Sequence, residues 1–386
     1  MTAPDDRDRL ARVALNRLAE PGDLRVLRLV REVGAPALVD LLREQRDGRG
    51  VHTDVAERLH GLDPERELAD AADLGIRFVC PGDTEWPAQL DALDRCEPLD
   101  RQGGAPVGLW VRGPLDLAAA TARAVAVVGS RSATTYGADV AGELGHDLAQ
   151  AGVTVVSGAA FGIDAAAHRG CLAGDGPTVA VLACGADRAY PAGHRSLLDH
   201  LAATALVVSE VPPGAAPTRN RFLTRNRLIA ALSLGTVVVE AAVRSGALNT
   251  ATWTARLGRV LMGVPGPVTS APSEGVHELI RCREGLLVTR AAHVLELVGA
   301  VGDDLAPVPR AEETLRDRLP AVQRRVLEAV PVVRAAGVDS IARTGGLSVT
   351  ATSRALEALL AAGAVERRAD TWRLAAPMAG RDDPPP

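Results

Sequence analysis

Residues 153–168 read VTVVSGAAFGIDAAAH. A β-branched apolar run ends in glycine, and small residues at helical spacing follow. A strand that is apolar on both faces belongs inside a parallel sheet covered by helices. The same unit recurs as AVAVVG (124–129), TVAVLA (178–183), ALVVSE (205–210), TVVVEA (236–241) and RVLMGV (259–264), each set apart by a helix-length segment. The pattern predicts a doubly wound, mostly parallel α/β sheet over residues 76–299. Ligands of such sheets sit at the carboxyl ends of the strands, where the unusual residues of this chain collect.

The flanks differ. Residues 1–75 read as helices, with Leu24, Leu27 and Val30 at helical spacing and Pro21, Gly22 and Gly34 as punctuation. Either a helix-hairpin-helix type module or a plain helical bundle fits them. Residues 300–319 are charged, contain proline and read as a linker. Residues 320–376 predict three helices and a hairpin in winged-helix order, with SVTATSRALEALLAA as the recognition helix. Its only charges are Arg354 and Glu357, few for a groove reader, so a protein contact or a degenerate wing is the favoured reading. The tail, 377–386, reads as disordered.

The chain has 386 residues, a net charge of −5, 47% apolar residues and only 2% aromatic residues. It contains no lysine, which excludes a P-loop lysine and a Schiff-base lysine. Its acidic balance makes any nucleic-acid site a local patch. Five scattered cysteines without a CxxC pair read as free thiols and give neither a disulfide frame nor a metal site. The charged start MTAPDDRDRL and the lack of a long apolar run point to a soluble, cytoplasmic protein.

Four segments carry the chemistry. Gly129, Ser130 and Arg131 follow a strand and precede a helix, an arrangement that binds anions through backbone N–H groups and the helix dipole. Gly158 and Gly162 allow close backbone approach, and Asp164 and His168, four apart, read as a structural pair in which the carboxylate fixes the imidazole. Arg219 to Arg227, RNRFLTRNR, holds four arginines and no acid, suiting a phosphate backbone, with Phe222 to stack a base. Finally, Ser245, Gly246, Asn249 and Thr250 open a helix after Glu240, the best placed carboxylate for catalysis if there is any.

In this order and spacing, GSR…YG, SGxAxGIDxxAH, RNRxIAxLS and EA…SGxLxTAxxA resemble the DNA-processing protein A (DprA/Smf) family over residues 76–298. The resemblance implies a Rossmann-like core between a helical N-terminal and a winged-helix C-terminal domain. It also implies a homodimer that binds single-stranded DNA and loads the recombinase RecA in natural transformation, with no catalysis and no cofactor. By position it assigns Gly129, Ser130, Arg131, Gly162, Arg221, Phe222, Arg225, Asn226, Arg227, Ser245, Gly246 and Thr250 to DNA. Leu223 stands where the family carries proline, and His277 where it carries asparagine. The alternative is a Rossmann-type phosphoribohydrolase acting through Glu240, although its PGGxGT loop is here LSLGTVVVE. A third reading is an architectural or stress-sensing protein with a mononucleotide in the pocket.

Overall fold

A computed structural model of the chain describes residues 5–45, 54–282, 285–300, 302, 304–306 and 314–375. It divides into two units at Pro307. The first opens with helices α1 (Asp6–Leu18), α2 (Leu24–Val33), α3 (Ala35–Arg43), α4 (Asp54–His60) and α5 (Pro64–Asp73). Side chains of Asp5, Asp23 and Asp63 cap α1, α2 and α5, taking up N–H groups that a helix leaves free at its start.

All six expected strands form. They are β3 (Ala124–Val128), β4 (Thr154–Ser157), β5 (Thr178–Leu182), β6 (Leu206–Ser209), β7 (Gly235–Val238) and β8 (Val260–Gly263), counted after β1 (Ile76–Val79) and β2 (Leu109–Arg112). The two early strands lie antiparallel, β1 on β2 and β2 on β6, and β9 (Leu286–Leu287) extends the other edge parallel to β8. The order is β1-β2-β6-β5-β4-β3-β7-β8-β9. After β3 the chain builds outward through β4, β5 and β6, then returns to place β7 on the other side of β3. The gap between the carboxyl ends of β3 and β7 is therefore the topological switch point, where a crevice opens.

Period-two burial explains the layers. On β3, Ala124, Ala126 and Val128 join one core, and Val125 and Val127 the opposite one. Between the strands run α6 (Leu117–Thr121), α7 (Thr135–Gln150), α8 (Ile163–Ala173), α9 (Arg195–Thr204), α10 (Arg219–Ala231) and α11 (Ala247–Arg256), followed by α12 (Ala271–Cys282) and α13 (Ala291–Val298). Leu228 of α10, Ala251 of α11 and Val276 of α12 cover the first face. Leu144 of α7, Ala167 of α8 and Val294 of α13 cover the second, and Val13 of α1 and Ala71 of α5 pack with Leu201 of α9.

The N-terminal helices are bonded to the sheet by polar contacts too. Asn16 accepts from Trp110 Nε1 at 2.8 Å and donates to the Glu210 carbonyl at 2.7 Å. Beneath them, Arg227 of α10, wholly buried, meets the Glu210 carboxylate. Burial pushes the Glu210 carboxyl up, and the Arg227 charge opposes that rise. Arg227 Nε and Nη1 and Glu210 Oε2 lack partners, so the pair is incompletely solvated by protein.

The second unit holds α14 (Leu315–Arg318), α15 (Ala321–Ala329), β10 (Ala336–Gly337), α16 (Val338–Gly345), α17 (Val349–Ala361), β11 (Val365–Arg368) and β12 (Thr371–Leu374). Val326, Leu356 and Trp372 form its core. The expected three helices and hairpin are present, with β10 as a third strand beside β12. The expected linker 300–319 contains a helix: Thr314 and Asp317 close a capping box that starts α14. The expected tail, 377–386, lies outside the described residues. Among the described residues, no helix is long and apolar enough to cross a membrane.

Removing one partner of a buried ion pair strands the other charge, at a cost of about 3–5 kcal/mol, whereas replacing both by apolar groups is often neutral. Arg227→Met should therefore lose most of that range in urea unfolding. Arg227→Met combined with Glu210→Leu should recover much of it.

Candidate functional site

At the switch point lies a cleft of about 670 Å³, walled by the turn after β3, the loop before α8, helix α10 and the turn into α11. Arg131, Arg219 and Arg244 line it, all exposed, and none makes an ion pair among the described residues. Arg225 forms the floor. It is almost wholly buried, donates to the carbonyl of Gly158 at 2.9 Å and to that of Val181, and burial lowers its pKa to about 10, so it remains charged at neutral pH. Asn226 donates to the Gly246 carbonyl and to Asn249 Oδ1, each at 3.2 Å, tying α10 to α11. Gly129, Phe222, Ser245, Gly246 and Thr250 also line the cleft.

The arginine run is not a loop but the first turns of α10, with Thr218 as its N-cap. Helical spacing therefore sorts its side chains onto two faces. Arg219, Phe222, Leu223, Asn226 and Ile229 look into the cleft. Arg221 looks away, gripping Glu20 through two bonds of 2.9 and 2.7 Å. Thr224 donates to Gln102 Oε1 at 2.6 Å. Arg227 is held by Glu210 under the N-terminal helices. Arg221 and Arg227, both expected in the DNA pocket, are thus anchors of the helix outside it. Leu223 simply continues α10, so the absent proline loosens no loop.

Two further expectations are corrected. Asp164 and His168 do not pair. The Asp164 carboxylate accepts from the N–H of Gly158 at 3.1 Å and of Ala160 at 3.4 Å. Burial raises its pKa, against the pull of Arg225. Thr178 Oγ1 donates to the Val155 carbonyl, so it accepts from His168 Nδ1–H at 2.7 Å. His168 Nε2 is left as an unpartnered lone pair, and burial drives the His168 pKa down to about 3.

The helix N-terminus beyond Gly129 is also not open to a phosphate. Glu240, 1% exposed, fills it, accepting from Thr134 N at 2.9 Å and Thr134 Oγ1 at 2.5 Å. Gly137 packs directly on this carboxylate, and an added Cβ would come within 2.3 Å of it. Ser130 serves the scaffold: its N–H donates to the Glu240 carbonyl at 2.7 Å and its carbonyl accepts from Ile163 N. Gly162, at φ +78°, caps α8 where a side chain would strike the Ser130 and Arg131 carbonyls. It shapes the cleft wall without lining it.

The sequence reading left out Arg244 and Tyr190, and it did not separate Arg219 from its neighbours. Arg219 had a signal, since it shares the i, i+3, i+7 row with Phe222 and Asn226. Tyr190 had none: it arrives from the β5–α9 loop and packs on Phe222 with ring centres 5.5 Å apart. Arg131 lies 4.7 Å over that same ring, so Phe222 is already partly covered.

Fold and cleft define a Rossmann-like α/β protein whose switch-point crevice is walled by exposed arginines. Residues 77–299 match the family model described as DNA recombination-mediator protein A. Over 379 residues the chain is 44% identical to a DNA processing protein DprA of Mycobacterium tuberculosis, covering 95% of this chain and 94% of that one. The DNA processing protein DprA of Streptococcus pneumoniae is 40% identical over 206 residues, 53% of this chain and 71% of its own. The X-ray structure of DprA from that species fits with a TM-score of 0.63 at 30% identity, covering 78% of this chain and 100% of that one. The chain belongs to the DNA recombination-mediator protein A family, the DprA/Smf proteins of DNA processing in recombination.

Two outcomes test the scaffold. The folded chain keeps His168 neutral down to about pH 3, while the unfolded chain protonates it near 6.5. The contribution of this residue is whole above that value and falls on acidification by up to ~1.4 kcal/mol per pH unit. His168→Asn, which can still donate to Thr178, should flatten the acid limb of the stability profile between about pH 6.5 and 3. Glu240→Gln should cost on the order of 1–3 kcal/mol in thermal unfolding, because an amide cannot replace a charged acceptor of two bonds.

Proposed function

We propose that the cleft binds the backbone of single-stranded DNA, and that through it the protein protects incoming DNA and loads RecA in natural transformation or related recombination. The observation that carries this reading is the set of three exposed arginines, Arg131, Arg219 and Arg244, that make no ion pair among the described residues and surround one crevice in a chain of net charge −5. Cations left without internal acids are available to phosphates, and the crevice is recessed, which favours a flexible strand over a rigid duplex. RecA as partner rests on the family alone.

The reading includes no catalysis. Glu240 is engaged by Thr134 and sealed by Gly137, which supports a scaffold role over that of a base. A homodimer through residues 276–298 is part of the proposal, supported by the edge strand β9, whose Leu286 and Leu287 are 46% and 53% exposed. Sedimentation at micromolar concentration should give a dimer, and a Leu286→Arg/Leu287→Arg variant a monomer. The second unit fits a winged helix. Its described part carries ten arginines against six carboxylates, the opposite balance to the whole chain.

Fluorescence anisotropy of a labelled single strand and its duplex, in a salt series, tests the DNA reading. Three arginine contacts predict that log affinity falls with log salt at a slope of roughly −2, from ~0.7 per contact. Arg131→Ala should weaken single-strand binding and reduce the slope by about 0.7. Equal affinity for the duplex, or a flat salt response, would refute the proposal.

A further inference from the structure

The chain has nine aromatic rings. Phe78 and all four tryptophans, Trp86, Trp110, Trp253 and Trp372, are buried in cores. Of the remaining four rings, Phe222 and Tyr190, the latter 42% exposed, line the cleft, and Phe161, 50% exposed, follows directly on the lining residue Ala160. Single exposed rings are ordinary, but rings gathered at one rim form an apolar patch that suits an occupant.

Phe222 gives one part of its surface to Arg131 and another to Tyr190. Phe161 is different. Its ring and that of His194 meet in a T-shaped arrangement, with centres 4.5 Å apart and planes at 65°, so the two are not stacked face to face. His194 is itself buried and bonded through Nδ1 to the Ala159 carbonyl at 3.0 Å. The loop beneath Phe161 is fixed at both ends. Asp164 gathers the N–H groups of Gly158 and Ala160, and Gly162 abuts the Ser130 and Arg131 carbonyls. Ala160, the residue before Phe161, lines the cleft, as does Tyr190. Gly193, three residues beyond Tyr190, sits against the Phe161 ring, its Cβ position 3.4 Å away. One continuous rim thus runs from the cationic wall through Phe222 and Tyr190 to Phe161.

We propose that Phe161 is a base-stacking platform, taking an unstacked nucleobase of the strand whose phosphates the arginines hold. The inference rests on the single-strand reading above and adds a contact at the base beside those at the backbone. An aromatic face is sequence-tolerant, because every base has a π-face. The ligand class is a single strand carrying bases, and a bare polyanion would not satisfy the rim.

The test uses the full chain and a labelled oligothymidylate in which one base at a time is replaced by an abasic site. Phe161→Ala should weaken binding of the intact strand roughly tenfold, within the range expected for one stacked base. At one position the abasic strand should lose the same factor with wild type and nothing further with Phe161→Ala. Phe161→Trp should restore that position's dependence. Because the ring is half exposed, thermal unfolding of Phe161→Ala should match wild type. If strands bind in an Arg131-dependent way but Phe161→Ala and every abasic substitution act additively, the platform is refuted and the cleft reading stands. If the strand does not bind at all, both fall.

Discussion

Helix α10 works because one of its faces is neutralised. Arg221 is held by Glu20, Thr224 by Gln102 and Arg227 by Glu210, so every partner on that side is internal. The opposite face is then free to present Arg219 and Asn226 to the crevice without the helix rolling. A run of four arginines without such anchors would repel itself and splay. The N-terminal helices, whose α1–α2 turn carries Glu20 and which pack over Glu210, are on this view part of the site's construction.

The same logic governs the helix N-termini at the strand ends. In an open α/β sheet these are ready-made anion sites, yet here an internal carboxylate occupies one of them. Glu240 fills the start of α7, and Asp164 serves the loop that leads into α8. The cations the crevice exposes are therefore guanidinium groups at the rim, outside the strand-end N–H groups. Such groups follow a chain of phosphates more readily than they enclose a single one. A mononucleotide pocket would call for the inner sites to be open.

The sheet was legible because interior parallel strands must be continuously apolar, and six such runs stand out in the sequence. β1 and β2 were not singled out, since IRFV and LWVR are short, carry arginine and pair antiparallel at an edge. β9, of two residues, leaves no pattern to read. Arg131, Arg225 and Asn226, named from the turn after a strand, the arginine run and the family resemblance, do line the cleft. Arg221 and Arg227 were misplaced because composition records charge and not direction. Period 3.6 would have separated them, but Glu20, 201 residues from Arg221, has no trace in local sequence. Asp164 and His168 show the limit of spacing. The loop N–H groups of Gly158 and Ala160 take the Asp164 carboxylate and Thr178 takes the imidazole, so two side chains one turn apart do not meet.

Charge accounts for why so few free cations suffice. At physiological salt, interactions between exposed charges fade over about 8 Å, so the chain's overall −5 scarcely reaches the crevice. Inside it, Asp164 is the only carboxylate among the lining residues, and Arg225 lies beside it on the floor. Asp164 and Arg225 interact with each other below the surface, leaving the three rim arginines to set the local field. An acidic protein thereby keeps a cationic slot without the non-specific affinity that a basic surface would bring. The slot's selectivity then has to come from shape and from the rings around it.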